Sequence, residues 1–400
     1  MRVRVSLTLM VATALLILAC GGPTATVRPS VAVTSAPATP TGGPTVAPAT
    51  PTTAPSEGPT DVPTVAPAAL RIGVVTDVGQ LEDRSFNQFS NAGAVDAATE
   101  LGGEHRVIVT EEIADYQSNI QTLVDDGFDV VVTIGFLMGT DTLNAAKANP
   151  EVSFIGVDQG ICVDADGNAD PTFTCAGDVA TLIPNYQGIV FREAQPGYLV
   201  GIIAATISES GVIGAVGGTN LPAVVAFRDG YFNGARSVNP DIEVLYVESN
   251  PDPVIGFNDP ERGAEIATQM IDEGADVIFQ VAGGTGVGVL ETACAVDGVF
   301  GIGVDVDQAL SLPAQAAECV VTSAEKKLQD TVRTVVLSVA DATFQSGTVV
   351  YDLNSVPPGV GISDFHDFAD LLTADLQAAL DAAEAGMMDG SIDPAVPSGL

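Results

Sequence analysis

Positive charge is scarce in this 400-residue chain: 14 lysines and arginines stand against 51 aspartates and glutamates, a formal net charge of -37. So few cations cannot neutralise a phosphate backbone or hold the chain to anionic headgroups, which excludes nucleic acid and adsorption to a lipid surface. The excess of acid is read as a solubility feature. Histidine is nearly lacking too: His105 and His366, far apart, leave little general-base capacity beyond carboxylates. The five cysteines contain no CxxC spacing, so zinc has no ligand set. P-loop, HExxH and GxSxG motifs do not occur. No cofactor and no metal site are expected. Beyond the N-terminus no apolar run is long enough to cross a bilayer.

What the N-terminus does contain is an export signal. Arg2 and Arg4 precede the uncharged apolar run Val5–Ala19, which stops at Cys20. Ile17-Leu18-Ala19-Cys20 looks like a lipobox, which implies that residues 1–19 are removed and Cys20 is acylated; the plainer alternative is an ordinary secretory signal. Residues 20–68 are nearly all Pro, Thr, Ala, Val, Ser and Gly, with Arg28, Glu57 and Asp61 the charges among them. Frequent proline forbids helices and sheet ladders, so this stretch is expected to be a tether reaching between ~40 Å as a coil and ~150 Å as a rod. The chain would then be cell-membrane-bound through its lipid alone, facing away from the cytoplasm. Of the remaining cysteines, Cys162, Cys175, Cys294 and Cys319 allow three pairings in an oxidising compartment. The sequence-local one, Cys162–Cys175 with Cys294–Cys319, is expected.

The remaining ~330 residues exceed one ordinary core. Short Val/Ile-rich runs alternate with helical spacing: Leu70–Thr76, helix Phe86–Leu101, His105–Thr110, helix Tyr116–Asp126, then Asp129–Ile134, helix Thr140–Ala148 and Ser153–Val157. Ser85 is a candidate N-cap and Gly102 a helix stop. The alternation repeats from Gln187–Phe191 through helices at Tyr198–Ser208, Phe227–Val238, Pro260–Glu273 and Val287–Ala295 to the strand Val299–Val304. Continuous apolar strands between helices predict parallel sheets covered on both faces. The fold class is therefore α/β, two doubly wound Rossmann-like lobes. The expected division is 69–188 with 305–335 in the N-terminal lobe, 189–304 with 336–390 in the C-terminal lobe, and 391–400 as a tail.

Ligands of such folds bind where loops leave the carboxyl ends of strands. Those loops hold Asp77-Val78-Gly79, Asp83-Arg84-Ser85-Phe86-Asn87, Gly135-Phe136, Asp158, Gly217-Gly218, Gly283-Gly284-Thr285-Gly286 and Asp305-Val306-Asp307-Gln308, with Ser323-Ala324-Glu325-Lys326 just beyond. Each has a plain structural reading: Phe86 and Phe227 as core, Asp77 and Ser85 as caps, Asp305 and Asp307 as surface loop, Lys326 as a solvated helix residue. Segment 160–176 adds Asp164, Asp166, Asn168 and Asp170 in alternation, a polar hairpin turn rather than a calcium loop, because Gly167 is misplaced and no Glu closes it. Beside Asp158, it is also a candidate for lidding the cleft or altering its selectivity.

DVGQLEDRSFNQ (77–88), FIGVD (154–158), GAVGGTNLPAVVAFRDGYFNGA (214–235), VAGGTGVGV (281–289), GIGVDVDQ (301–308) and TSAEKK (322–327) together resemble the basic membrane protein family of bacterial lipoproteins, purine-nucleoside receptors of ABC transporters. The resemblance implies a type I periplasmic-binding-protein fold with three crossings between lobes, a nucleoside ligand, a partner permease and ATPase, and a monomer. Carried over, Phe86 and Phe227 would enclose the purine. Asp77, Asn87 and Asp158 would make polar contacts at the base edge or nearby, Gly284 and its neighbours would approach by backbone, and Asp305 and Lys326 would hold the ribose hydroxyls. A flat ligand suits rings on both faces with polar groups at its edges, and a carboxylate suits a cis-diol. The rivals are a sugar or autoinducer receptor of the same fold, a surface protein binding a macromolecule, and a nucleoside-acting enzyme. Against the enzyme, residues 283–288 depart from GxGxxG, with Val289 and Glu291 where a third glycine would fall.

Overall fold

The computed structural model describes residues 69–397; the expected signal, Cys20 and the tether lie outside the described residues. Strands β1 (Arg71–Val78), β2 (Glu104–Thr110), β3 (Val130–Ile134), β4 (Ser153–Val157) and β5 (Tyr186–Phe191) alternate with helices α1 (Phe86–Leu101), α2 (Tyr116–Asp125), α3 (Gly139–Ala148) and the short α4 (Val179–Leu182). The chain continues as α5 (Ala194–Ile207), β6 (Val212–Gly217), α6 (Pro222–Val238), β7 (Glu243–Glu248), α7 (Pro253–Gly256), α8 (Pro260–Asp272), β8 (Val277–Val281), α9 (Gly283–Cys294) and β9 (Phe300–Asp305). It ends with α10 (Gln308–Ser311), α11 (Ala314–Ala317), β10 (Val320–Lys326), α12 (Leu328–Ala340), β11 (Gly347–Tyr351), β12 (Val360–Ile362) and α13 (Ala374–Asp389).

The strands form two six-stranded sheets of one design, β11-β5-β4-β3-β1-β2 and β12-β10-β9-β8-β6-β7. Every pairing is parallel except β10 with β12. Val130–Ile134 and Val277–Val281 are buried at every position, as strands covered on both faces must be. The order turns back between β1 and β3 and between β6 and β8, so each sheet has a switch point at the carboxyl ends of its strands. The two halves even share a sequence signature: FIGVD ends β4 and GIGVD ends β9, the two strands holding the same place in their sheets. The fold is the expected one.

The lobe boundaries differ from those expected. All of β5 lies in the first sheet, β9 and β10 lie together in the second, α12 returns to pack on α1, and β11 rejoins β5 before β12 crosses back. The crossings therefore follow β5, β10 and β11. The reason is pairing: β10 runs in register beside β9 from Thr322–Ile302 to Glu325–Asp305, as β5 does beside β4. Cutting at 305 would separate a strand from its partner. Residues 391–397 are no free tail either. Ile392 packs on the core, and Asn233 Nδ2 donates to the Pro394 and Val396 carbonyls at 2.9 and 2.8 Å.

In the second lobe α5 and α6 meet backbone to backbone. A Cβ on Gly201 would overlap the Tyr231 carbonyl, and one on Gly234 the Tyr198 carbonyl. That closeness sets how deeply α6 seats Phe227. Disulfides join Cys162 to Cys175 and Cys294 to Cys319, the sequence-local pairing. Segment 160–176 is a hairpin closed by a Val163–Ala169 bridge, its Asp164 carboxylate accepting the Asp166 and Asn168 N–H groups. None of it lines the cleft described next.

Candidate functional site

Between the two sheets, at the carboxyl ends of their strands, lies a cleft enclosing about 750 Å³ of non-atom space, part of it open to solvent. All the expected residues line it: Asp77, Phe86, Asn87, Asp158, Phe227, Gly284, Asp305 and Lys326. They arrive from β1, α1, the ends of β4 and β9, α6, α9 and β10.

The ammonium of Lys326 organises one end. It sits 2.8 Å from Asp158 Oδ2 and 3.2 Å from Asp305 Oδ1, so one cation ties a carboxylate of each lobe. Asp158 and Asp305 share the left-handed backbone region, at φ 57° and 66°, a turn that aspartate tolerates better than most residues and that tips both carboxylates inward. Ser85 Oγ donates to Asp305 Oδ2 at 2.8 Å, a second bond across the cleft. The same ammonium lies 4.5 Å from the centre of the Phe86 ring and 5.8 Å from that of Phe227. Burial works to lower the lysine pKa, but Asp158, Asp305 and Glu193 outweigh it and hold the ammonium above its usual value. Burial likewise raises Asp158, and Lys326 opposes the rise. One oxygen, Asp158 Oδ1, is buried without a hydrogen-bond partner.

Elsewhere in the cleft Asp77 stands against Gly135, near enough to Asp158 for that charge to help raise its pKa. A Cβ on Gly135, whose φ is 105°, would overlap the Asp77 carboxylate. Asp77 Oδ1 accepts the Val78 N–H at 2.8 Å and the Tyr116 hydroxyl, while its own N–H donates to Asn87 Oδ1 at 3.0 Å. Burial pushes Asp77 up to about 6, and the Tyr116 hydroxyl holds it from rising further. Replacing Tyr116 with Phe removes that donor. Asp77 should then titrate above about 6, and the pH below which ligand affinity falls should move upward. A titration of affinity against pH checks this, and an unmoved midpoint would detach Asp77 from binding.

Several local expectations change. Ser85 makes no capping bond; Asp83 does that work, accepting the N–H groups of Ser85, Asn87 and Gln88, and burial lifts it to about 6 against those donors. Lys326 is the last residue of a strand, not part of a helix, and is buried while Lys327 is half-exposed. The glycine run is the first turn of α9 itself, which leaves the N–H groups of Gly283 and Gly284 ahead of the helix's own ladder. Phe227 lies inside α6 with 1% exposure, edge-on to Phe279 at 6.1 Å, so it is core and cleft wall together.

Other lining residues were not foreseen. Phe257, just after α7, fills the space left by Gly218, where a Cβ would overlap its ring, and lies in ordinary contact with Gly283. The paired glycines were visible, but nothing local tells which distant ring they accommodate. Asn258 and Gln80 add amides and Phe136 another ring. Glu193, at the start of α5 on the first crossing, is 7% exposed; burial first and then Asp158 lift it to about 8.

Residues 71–381 match the family model described as ABC transporter substrate-binding protein PnrA-like. An ABC transporter nucleoside-binding protein, BmpA, of Lactococcus lactis is 29% identical over 348 residues, covering 82% of this chain and 89% of that protein. Basic membrane protein B of Borreliella burgdorferi is 32% identical over 249 residues, or 61% of this chain and 67% of that one. Among solved structures, an ABC transporter solute-binding protein of Aeropyrum pernix superposes with a TM-score of 0.67 at 25% identity, covering 81% of this chain and 92% of that one. A sheet pair of this order and a cleft so lined accord with those likenesses, and the chain belongs to the PnrA-like family of ABC transporter substrate-binding proteins.

Proposed function

We propose that this solute-binding protein, which is not an enzyme, captures a purine nucleoside in the cleft and presents it to its membrane permease and ATPase. The observation that carries the reading is the Asp158–Lys326–Asp305 bridge beside the Phe86 ring. Asp305 accepts from the ribose hydroxyls and Lys326 donates to one of them, while Phe86 and Phe227 flank the base. Asp77 and Asn87 take the base edge, and the first-turn N–H groups at Gly284 approach by backbone. The binding of nucleosides stated in the name of the Lactococcus relative supports the same class. The chain acts as a monomer held outside the cytoplasm by lipid on Cys20.

The decisive experiment is calorimetry of the folded region with inosine, with ribose as competitor. Inosine should bind at micromolar or lower concentration, and Asp305→Ala should weaken it at least tenfold. Displacement of the bound species by ribose at similar concentration would instead indicate a sugar receptor. Unchanged affinity in Asp305→Ala would remove that residue from the site. Labelled palmitate incorporated by the native chain but not by Cys20→Ala tests the anchor.

A further inference from the structure

The charges that line the cleft do not balance. Asp77, Asp83, Asp158 and Asp305 face a single cation, Lys326. Asp83 is occupied by three backbone N–H groups at the start of α1. Lys326 neutralises one charge of the Asp158–Asp305 pair and leaves the other. Asp77 has only neutral donors, the Val78 N–H and the Tyr116 hydroxyl, and no lysine or arginine other than Lys326 lines the cleft among the described residues. Around this surplus stand the rings of Phe86, Phe136, Phe227 and Phe257.

A neutral ligand can offer the surplus only hydrogen bonds. A ligand with a delocalised positive charge can meet an open carboxylate at its edge and the negative faces of aromatic rings above and below, in a setting where water screens little. We infer that the cleft prefers a purine nucleoside whose base carries a positive charge, such as an N-methylated ring, over its neutral counterpart, with Asp77 the residue that reads the charge. This rests on the nucleoside reading above and narrows it. Ionised Asp77 is available for the purpose at neutral pH, since burial lifts it only to about 6.

The test uses calorimetry of the folded region at neutral pH with 1-methyladenosine, a cation there, and its neutral isomer N6-methyladenosine, with adenosine as reference. The cation should bind at least about tenfold more tightly than its isomer, and Asp77→Asn should reduce that advantage below about threefold. Equal affinities in the native chain, or an advantage that persists in Asp77→Asn, overturn the inference. If adenosine binds and no preference for charge is seen, only this inference fails. If no nucleoside binds at all, the nucleoside reading fails with it.

Discussion

Replacing Lys326 with methionine is expected to cost about 3–5 kcal/mol of folding stability, the range for removing one partner of a buried ion pair. The lysine side chain is 3% exposed and its partners Asp158 and Asp305 are 10% and 11% exposed, so little water is at hand to take over. Without the ammonium, two carboxylates of opposite lobes face each other, and both are driven toward the protonated form. The sign of the pH dependence follows. An acid whose folded pKa lies above its unfolded one adds stability at low pH, and that stability is lost as pH rises through the folded value. The deficit of Lys326→Met should therefore be greatest in mildly alkaline buffer and shrink on acidification through the carboxylate range. Denaturant unfolding of both chains at a series of pH values measures it. A deficit that does not change with pH would mean the lysine matters for its bulk alone. Nucleoside binding should also be lost in the folded fraction.

Gly234→Val is expected to cost about 3 kcal/mol or more, beyond the usual penalty for overfilling a core. Most overpacking is relieved by turning a side chain, but here the atom in the way is the Tyr198 carbonyl of the facing helix. Relief requires α5 and α6 to separate, and with them Phe227, which α6 carries to the cleft, would move from its place against Phe279. Urea unfolding of Gly234→Ala and Gly234→Val should give a graded loss. Gly361→Ala is the control, since nothing lies near its Cβ position and its stability should change by less than about 1 kcal/mol. Equal stability of all three variants would refute the backbone contact.

Much of the architecture was readable because each element carries its own boundary. Helix Phe86–Leu101 ends at Gly102, whose φ of 62° is the left-handed stop that glycine allows. Strands Ser153–Val157 and Val277–Val281 are mostly apolar runs, rich in β-branched residues and too short for a helix. Most failures fell where distant contacts decide, though one had a local signal. Helix α6 starts at Pro222, not Phe227, and a proline in the first turn was the available signal. Helix α9 starts at Gly283, not Val287, because a glycine run of poor helix propensity is required by close neighbours: Cβ atoms on Gly286 and Gly288 would overlap Gln280 and the Pro260 carbonyl. The sheet joined by residues 320–326 depends on register with β9, which no local pattern encodes. In the cleft, the residues brought together were those marked by several motifs in order. Phe257 and Glu193 escaped because an isolated ring and an acid at a helix start look ordinary until the fold surrounds them.

The twin aspartates at the ends of β4 and β9 bear on how a ligand lies in the cleft. Two halves of one design would by themselves make a groove that reads alike from either end. Lys326 is the residue after the one paired with Asp305, and the same count from β4 along β5 falls on Phe191, whose ring centre is 5.7 Å from the lysine ammonium. An apolar ring thus stands where symmetry would call for a second cation. The groove has a head and a foot, and a guest with unlike ends can enter it only one way round.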